Sequence, residues 1–214
     1  MISSEFYNRY FNAILDGDRA GCTKMVQELL DQGIEIKLLY RQLFEKTLYQ
    51  VGELWERNQI SVAKEHLVTA ITENLLNLVY PHLFRKKTVS KKAIICCAAN
   101  EYHQVGGKMV ADIMELNGWD TYFLGANIPV DQVVSFIDEK KPDLVGLSLS
   151  IYFNFPSLKK EIEAIQAHFP DLDIIVGGQA FKWGKIPSLD KFKNLTYLSS
   201  LDELENQTRI TDHE

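Results

Sequence analysis

The N-terminal part of the chain carries apolar residues at the three- and four-residue spacing that lines one face of a helix. Phe6, Tyr10, Phe11, Ile14 and Leu15 form the first such stripe, and Gly17 ends it. Asp18 is placed to cap a second helix whose apolar face is Met25, Val26, Leu29 and Leu30, with Gly33 where a left-handed residue closes it. A third helix is predicted from Ile36 to Glu56, carrying Leu39, Leu43, Leu48, Val51, Leu54 and Trp55. Ser61 starts the fourth, which holds Leu67, Ala70, Ile71, Leu75, Leu78 and Val79 ahead of Pro81. Four helices on short loops predict a bundle domain over residues 1–84.

The polar, basic stretch RKKTVSKK at 85–92 reads as a linker, and behind it the period changes. Ala93 to Ala99 is a short apolar run without helical alternation, a buried strand. A repeating order follows: helix Gly107 to Asn117, strand Thr121 to Leu124, helix Asp131 to Lys140, strand Leu144 to Leu149, helix Ser157 to His168, strand Ile174 to Val176. A short strand from Leu195 to Leu198 and a helix from Asp202 complete it. This alternation predicts an α/β domain over 92–214, with a five-stranded parallel sheet covered by helices on both faces. The flavodoxin-like, Rossmann-type strand order two-one-three-four-five is expected, and its ligand crevice lies beyond the C-terminal ends of strands one and three.

Composition narrows the function classes. In a chain of 214 residues, 46% hydrophobic and 24% charged content is that of an ordinary globular protein, which sets disorder and repetitive architectures aside. No apolar run approaches the roughly 20 residues of a membrane span. The N-terminus MISSEFYNRYF lacks a secretory pattern, so a cytoplasmic location is expected. A net charge of −6 with no long basic run argues against direct nucleic-acid binding. Cys22, Cys96 and Cys97 show no CxxC spacing, and each is expected as a free buried thiol. His82, His168 and His213 are expected at the surface, and the C-terminal TRITDHE as a frayed end.

The loop after strand one is Asn100-Glu101-Tyr102-His103-Gln104-Val105-Gly106-Gly107. It holds a histidine at the mouth of the crevice, where an imidazole is placed to bind a metal. Glu101, two residues earlier, can accept a hydrogen bond from the other ring nitrogen, fixing the tautomer and raising the basicity of the ligand. Gly106 and Gly107 are expected to let the backbone turn and a flat ligand approach. A loop histidine alone has a plainer explanation as a polar residue before a helix. The spacing downstream changes the weight: 41 residues separate Gly106 from Ser148, and 26 separate Ser150 from Gly177 and Gly178. Ser148 and Ser150 can hydrogen-bond a polar group threaded into the crevice, and the glycines are expected to give it room.

Together these residues resemble the signature of the cobalamin-binding domain family, DxHxxG, SxL and GG, which stands here as ExHxxG, Ser148-Leu149-Ser150 and Gly177-Gly178. The resemblance implies that His103 is the lower axial cobalt ligand, replacing the cofactor's own dimethylbenzimidazole in a histidine-on, base-off state. It also implies that the nucleotide tail runs past Ser148, Ser150, Gly177 and Gly178. Glu101 stands for the usual Asp, which lengthens the arm but keeps its charge; Ser150 stands for the usual Leu, which puts a hydroxyl in place of an aliphatic wall.

That family usually carries a helical bundle ahead of this domain, and residues 1–84 fit that place. Trp55, nine residues and then Glu65-His66 resemble the cap signature of light-responsive, adenosylcobalamin-dependent regulators otherwise built on a MerR-type DNA-binding domain. The resemblance implies that Trp55 covers the adenosyl group and that Glu65 and His66 bond its ribose or adenine. Glu56 stands where some of those sensors have a ligating histidine.

The leading expectation is an adenosylcobalamin-dependent light or cofactor sensor, a binding module rather than an enzyme. With no helix-turn-helix domain before Phe6, it would act through a partner regulator or a change of homo-oligomer. The alternative is a corrinoid carrier subunit, loaded with methylcobalamin, that shuttles methyl between two methyltransferases; it shares His103, the serines and the glycines but gives Trp55, Glu65 and His66 no task. A receiver domain is set aside because strand three ends in Ser148-Leu149-Ser150, without the aspartate that chemistry needs. The loop Gly125 to Pro129 is expected to reach the corrin rim or to be a plain turn, and Tyr152 and Phe153 are expected to be packing residues.

Overall fold

Capping residues start the helices where the pattern places them. α1 (Ser4–Asp16) begins where Ser3 Oγ accepts the Phe6 N–H at 3.1 Å, and α2 (Arg19–Asp31) where Asp18 Oδ1 accepts the Gly21 N–H at 2.9 Å. Gly33 follows α2 with φ 74°, the left-handed conformation expected there. The third helix needs a correction. α3 (Ile36–Leu39) and α4 (Lys46–Glu56) are joined by a π-helical turn over Tyr40–Glu45 instead of forming one α-helix. A single widened turn leaves apolar spacing almost unchanged, so the pattern does not distinguish the two windings. Leu39 just before it and Tyr40, Leu43 and Phe44 within it are all fully buried. α5 (Val62–Val79) starts at Ser61, whose Oγ accepts the Lys64 N–H at 3.2 Å. It packs against α1, α2 and α4, with Tyr10, Ile14, Val26, Val68 and Val79 in the core.

The computed structural model describes residues 1–83, 91–183 and 189–209, and the chain divides into two compact units, Met1–Phe84 and Arg85–Glu214. Most of the linker expected at 85–92, and the C-terminal tail with His213, lie outside the described residues.

The second unit runs β1 (Lys92–Cys97), α6 (Val105–Leu116), β2 (Asp120–Gly125), α7 (Val130–Lys140), β3 (Leu144–Ser148), α8 (Phe155–His168), β4 (Asp173–Gly177), α9 (Ala180–Trp183), β5 (Leu195–Tyr197) and α10 (Leu201–Thr208). The five strands are parallel in the order β2-β1-β3-β4-β5, the order expected. Alternate strand residues Ile94, Cys96, Val145, Leu147, Ile174 and Val176 meet Val133 and Ile137 of α7 and Leu158, Ile162 and Ile165 of α8 in one apolar layer. α6 lies against β1 and β2 and packs with α10, which is tied down by the Trp119 Nε1–H donating to Thr208 O at 2.8 Å. The chain thus leaves β1 for one face and β3 for the other. A crevice opens at the C-terminal ends of this adjacent pair, and the loops there carry the functional candidates. All three cysteines are free and buried, and among the described residues no helix is long and apolar enough to cross a membrane.

Candidate functional site

The loop between β1 and α6 is clamped from three directions. Asn100 sits in the left-handed region at φ 68°; its N–H donates to Asn127 Oδ1 at 3.1 Å, its carbonyl accepts from Asn154 Nδ2 at 3.0 Å, and its own amide donates to Ser157 Oγ at 2.9 Å. Asn127, in the loop after β2, also donates its N–H to Glu101 O at 3.2 Å. Below this, the fully buried carboxyl of Glu161 in α8 accepts the Ala99 N–H at 3.0 Å and lies 3.9 Å from Cys96 Sγ.

Glu101 is the centre of the arrangement. It is completely buried, and both oxygens are used: Oε1 accepts from His103 N at 2.9 Å and lies 2.6 Å from His103 Nδ1, while Oε2 accepts from Ser150 N at 3.0 Å and Ile151 N at 2.8 Å. Burial pushes this carboxyl up, but the hydrogen bonds from the His103 ring and from the His103 and Ile151 backbone outweigh it and hold it at about 2. It is therefore ionised and takes the proton on Nδ1 as a hydrogen bond. The lone pair of a neutral His103 then falls on Nε2, in a side chain 39% exposed. Glu161 is different: burial lifts it to about 7, outweighing the hydrogen bonds from the Ala99 N–H and the Cys96 thiol that lower it. Cys97, also pushed up by burial to about 12 with Glu101 and Glu161 nearby, is a neutral thiol.

Gly106 and Gly107 do not turn the loop as expected. α6 starts at Val105, so Gly106 and Gly107 lie inside its first turn and do not bend the loop. A Cβ at Gly107 would stand 3.3 Å from Phe123 and 3.5 Å from Cys97 and Ser148, so this glycine lets the helix close on the strands; at Gly106 the nearest atom would be Ser148 Oγ at 3.8 Å. Gly178 has φ 114°, and a Cβ there would meet Leu149 O at 2.2 Å, while one at Gly177 would meet Leu198 O at 3.0 Å. The space a side chain would need is taken by neighbouring backbone. Ser148 is buried beside the first turn of α6, and its hydroxyl has no hydrogen-bond partner among the described residues; Ser150 contributes its N–H to Glu101.

Tyr152 and Phe153 are not packing residues. They are 42% and 87% exposed in the short 3-10 turn Tyr152–Asn154 after β3, which has no buried residue. Asn100, Asn127, Asn154 and Glu161 carried no motif in the sequence. An isolated Asn after a strand, as at 100 and 127, is the one available signal for such a left-handed turn.

In the helical unit, Trp55 near the end of α4 is 41% exposed, unlike an ordinary core tryptophan. Glu65 Oε2 lies 2.6 Å from His66 Nδ1, and Oε1 accepts from Thr69 Oγ1 at 3.0 Å, all within the first turns of α5. Both carboxylate oxygens are thus occupied inside the helix, and the His66 side chain is 69% exposed.

Two family descriptions, each a B12 binding domain, match residues 91–185 and 7–80. The chain belongs to the B12-binding domain family. Monomethylamine corrinoid protein 2 of Methanosarcina mazei is 26% identical over 156 residues, covering 70% of this chain and 72% of that one. Methionine synthase of Mycobacterium leprae is 21% identical over 81% of this chain but only 15% of its own, and the HTH-type transcriptional repressor CarA of Myxococcus xanthus is 29% identical over 56% and 41%. The structure of the Methanosarcina barkeri monomethylamine corrinoid protein superposes with a TM-score of 0.80 at 18% identity, covering 96% of this chain and 98% of that one, which shows the fold. This B12-binding chain is accordingly a corrinoid-binding protein related to the methylamine corrinoid proteins and to methionine synthase. The comparisons lend no support to light sensing or to an adenosyl ligand.

Its residues fit the group. Among the described residues no cluster of three His, Cys, Asp or Glu could hold a metal ion, whereas one carboxylate-oriented imidazole suits a metal already held by a macrocycle. Ser148, beside the first turn of α6, offers a hydroxyl donor and acceptor that makes no hydrogen bond among the described residues.

Proposed function

We propose that this chain is a corrinoid carrier of a methyl-transfer system, with His103 as the axial cobalt ligand. The observation that supports it most is the Glu101–His103 pair at the switch point of the sheet, 2.6 Å apart and joined to two further backbone donors. The relatives named as corrinoid proteins over most of both chains favour the carrier over the sensor. Cobalamin supplies a cobalt centre that accepts a methyl group and gives it up. The protein's own part is to orient: Glu101 keeps the proton on Nδ1, presents Nε2 as the donor, and by its charge raises the basicity of the ring. Asn100, Asn127 and Asn154 hold the loop backbone so that this orientation costs little reorganisation on binding. The Ser148 hydroxyl, the Ser150 hydroxyl, Gly106 in the first turn of α6 and the end of β4 at Gly177 and Gly178 form the polar, tightly backed wall for the nucleotide tail. A methyltransferase protein is the partner this reading requires.

An adenosylcobalamin sensor is the second reading, favoured by the exposure of Trp55 in the helical unit. Against it stand the two Glu65 oxygens, already bonded to His66 and Thr69.

The deciding experiment loads the purified chain in the dark with hydroxo-, methyl- or adenosylcobalamin, reduces one sample to cob(II)alamin, and records its electron paramagnetic resonance with 14N- and 15N-histidine. A nitrogen splitting that changes with the isotope and vanishes in His103→Ala supports the axial assignment; an isotope-insensitive spectrum overturns it. Tight binding of methylcobalamin, with no change of oligomer on illumination of the adenosyl form, favours the carrier. Selective adenosylcobalamin binding and a light-driven change of size would replace it by the sensor.

A further inference from the structure

α6 ends through a glycine. Gly118 has φ 94°, its N–H donates to Glu115 O at 2.9 Å, and the Trp119 N–H donates to Met114 O at 3.0 Å, the bonding that closes a helix through a left-handed residue. Asn117 stands just before it at φ −82° and ψ −2°. The turn thus contains the only Asn-Gly pair in the sequence. Helix α10 holds the asparagine side chain: Asn117 Nδ2 donates to Thr208 Oγ1 at 3.0 Å, beside the Trp119 Nε1–H that donates to Thr208 O at 2.8 Å. Thr208 is buried and gives its own hydroxyl proton to Leu204 O at 2.8 Å, so toward Asn117 its oxygen can only accept.

An Asn-Gly pair is chemically labile, because no side chain on the second residue shields its backbone nitrogen. That nitrogen, losing its proton to solvent base, bonds to the asparagine Cγ and expels the side-chain nitrogen as ammonia; water then opens the cyclic imide to aspartate or isoaspartate. In the folded chain this ring closure is blocked. The attacking nitrogen is the buried Gly118 N–H bonded to Glu115 O, the leaving amide is bonded to Thr208, and a near-planar ring requires ψ of Asn117 to leave its helical value. We propose that Asn117 is a deamidation site opened by release of α10, and that its conversion keeps α10 from docking again. An aspartate here sets lone pairs against lone pairs at Thr208 Oγ1 and adds a negative charge at a helix C-terminus already flanked by Glu115 and Asp120. Isoaspartate also lengthens the backbone by one carbon and breaks the closing turn. None of this depends on what the crevice binds.

The test incubates the full chain at mildly alkaline pH in 18O-water beside three companions: Thr208→Val, which keeps the shape but not the acceptor, Trp119→Phe, which removes the indole donor, and wild type unfolded in urea. Peptide mass spectrometry reads 18O incorporation at Asn117, and hydrogen exchange reads the protection of α10 and of β3. The unfolded chain is expected to deamidate fastest and the folded wild type slowest. Each variant is expected to react about fivefold faster than folded wild type, the effect of one lost hydrogen bond on the opening equilibrium, with β3 as protected as before. Asn117→Asp is expected to lower the protection of α10 about tenfold. Equal rates in the folded and unfolded wild type, wild-type rates in both variants, or label at other asparagines but not at Asn117 overturn the inference. Faster reaction accompanied in both variants by lost protection of β3 overturns it as well, since global unfolding and not release of α10 then opens the site. An Asn117→Asp chain whose α10 is as protected as in the wild type overturns the claim that conversion prevents redocking.

Discussion

Glu101 Oε1 lies 2.6 Å from His103 Nδ1 while the other oxygen of the same carboxylate receives two N–H groups from the loop after β3. A single buried side chain thereby joins the loop bearing the proposed ligand to its neighbour across the crevice. Glu101→Ala leaves the Ser150, Ile151 and His103 N–H groups without their acceptor. The expected cost is about 3 kcal/mol of unfolding free energy, measured by urea denaturation, together with a 10- to 100-fold loss of corrinoid affinity. An alanine variant as stable as the wild type would show that the bridge carries no structural weight.

Glu161 predicts a pH effect of the opposite sign from Glu101. Its carboxyl is raised by burial from 4.5 to about 7, so folding favours the protonated form. That contribution is fully present below pH 4.5 and is lost as the pH rises through about 7. Glu161→Gln removes the titration while keeping an acceptor for Ala99. The stability of the glutamine variant relative to wild type should therefore grow by about 3 kcal/mol between pH 4.5 and pH 8. Urea melts at the two pH values check it, and a difference that stays flat would mean that Glu161 is ionised and solvated. Glu101, held down at about 2, titrates below this window and does not mask it.

The strand order and the ligand loop could be read from the chain because each rests on a local rule. Apolar runs of period change marked β1 to β5, and the ExHxxG spacing put His103 at the end of β1 with Glu101 two residues before it. What could not be read depends on contacts between residues far apart. Glu161 reaches Ala99 across 62 positions and Asn127 reaches Asn100 across 27, and neither pair has a sequence pattern. The place of Gly106 and Gly107 inside the first turn of α6 was hidden for the same reason. A Gly-Gly pair signals room, but only the structure shows whether ligand or backbone takes it, and at Gly178 the neighbour is Leu149 O. The π turn at Tyr40–Glu45 escaped because its apolar spacing matches that of an α-helix.

The close packing around the glycines is itself testable at Gly107 and Gly178. Gly178 combines φ 114° with a Cβ position 2.2 Å from backbone oxygen, so Gly178→Ala must shift the β4 loop or the end of β3. The expected loss is about 2 kcal/mol or more. Gly107→Ala meets only side-chain atoms at 3.3–3.5 Å and is expected to cost about 1 kcal/mol. Thermal melts of the two variants give the ranking, and equal shifts would remove the distinction between a backbone and a side-chain neighbour.

Ser148 separates binding from stability more cleanly than any other position. The residue lies buried beside α6 and its hydroxyl has no partner among the described residues, so the folded protein loses no hydrogen bond in Ser148→Ala. Removing a hydroxyl that bonds nothing in the folded protein should leave the unfolding free energy within about 0.5 kcal/mol of wild type. If the hydroxyl bonds the nucleotide tail, affinity for hydroxocobalamin should fall by about tenfold, the worth of one hydrogen bond. Cobinamide, with no tail, should bind the variant as it binds the wild type. A variant weakened equally toward both ligands would place Ser148 under the corrin instead of beside the tail, and a destabilised variant would mean that the hydroxyl serves the fold.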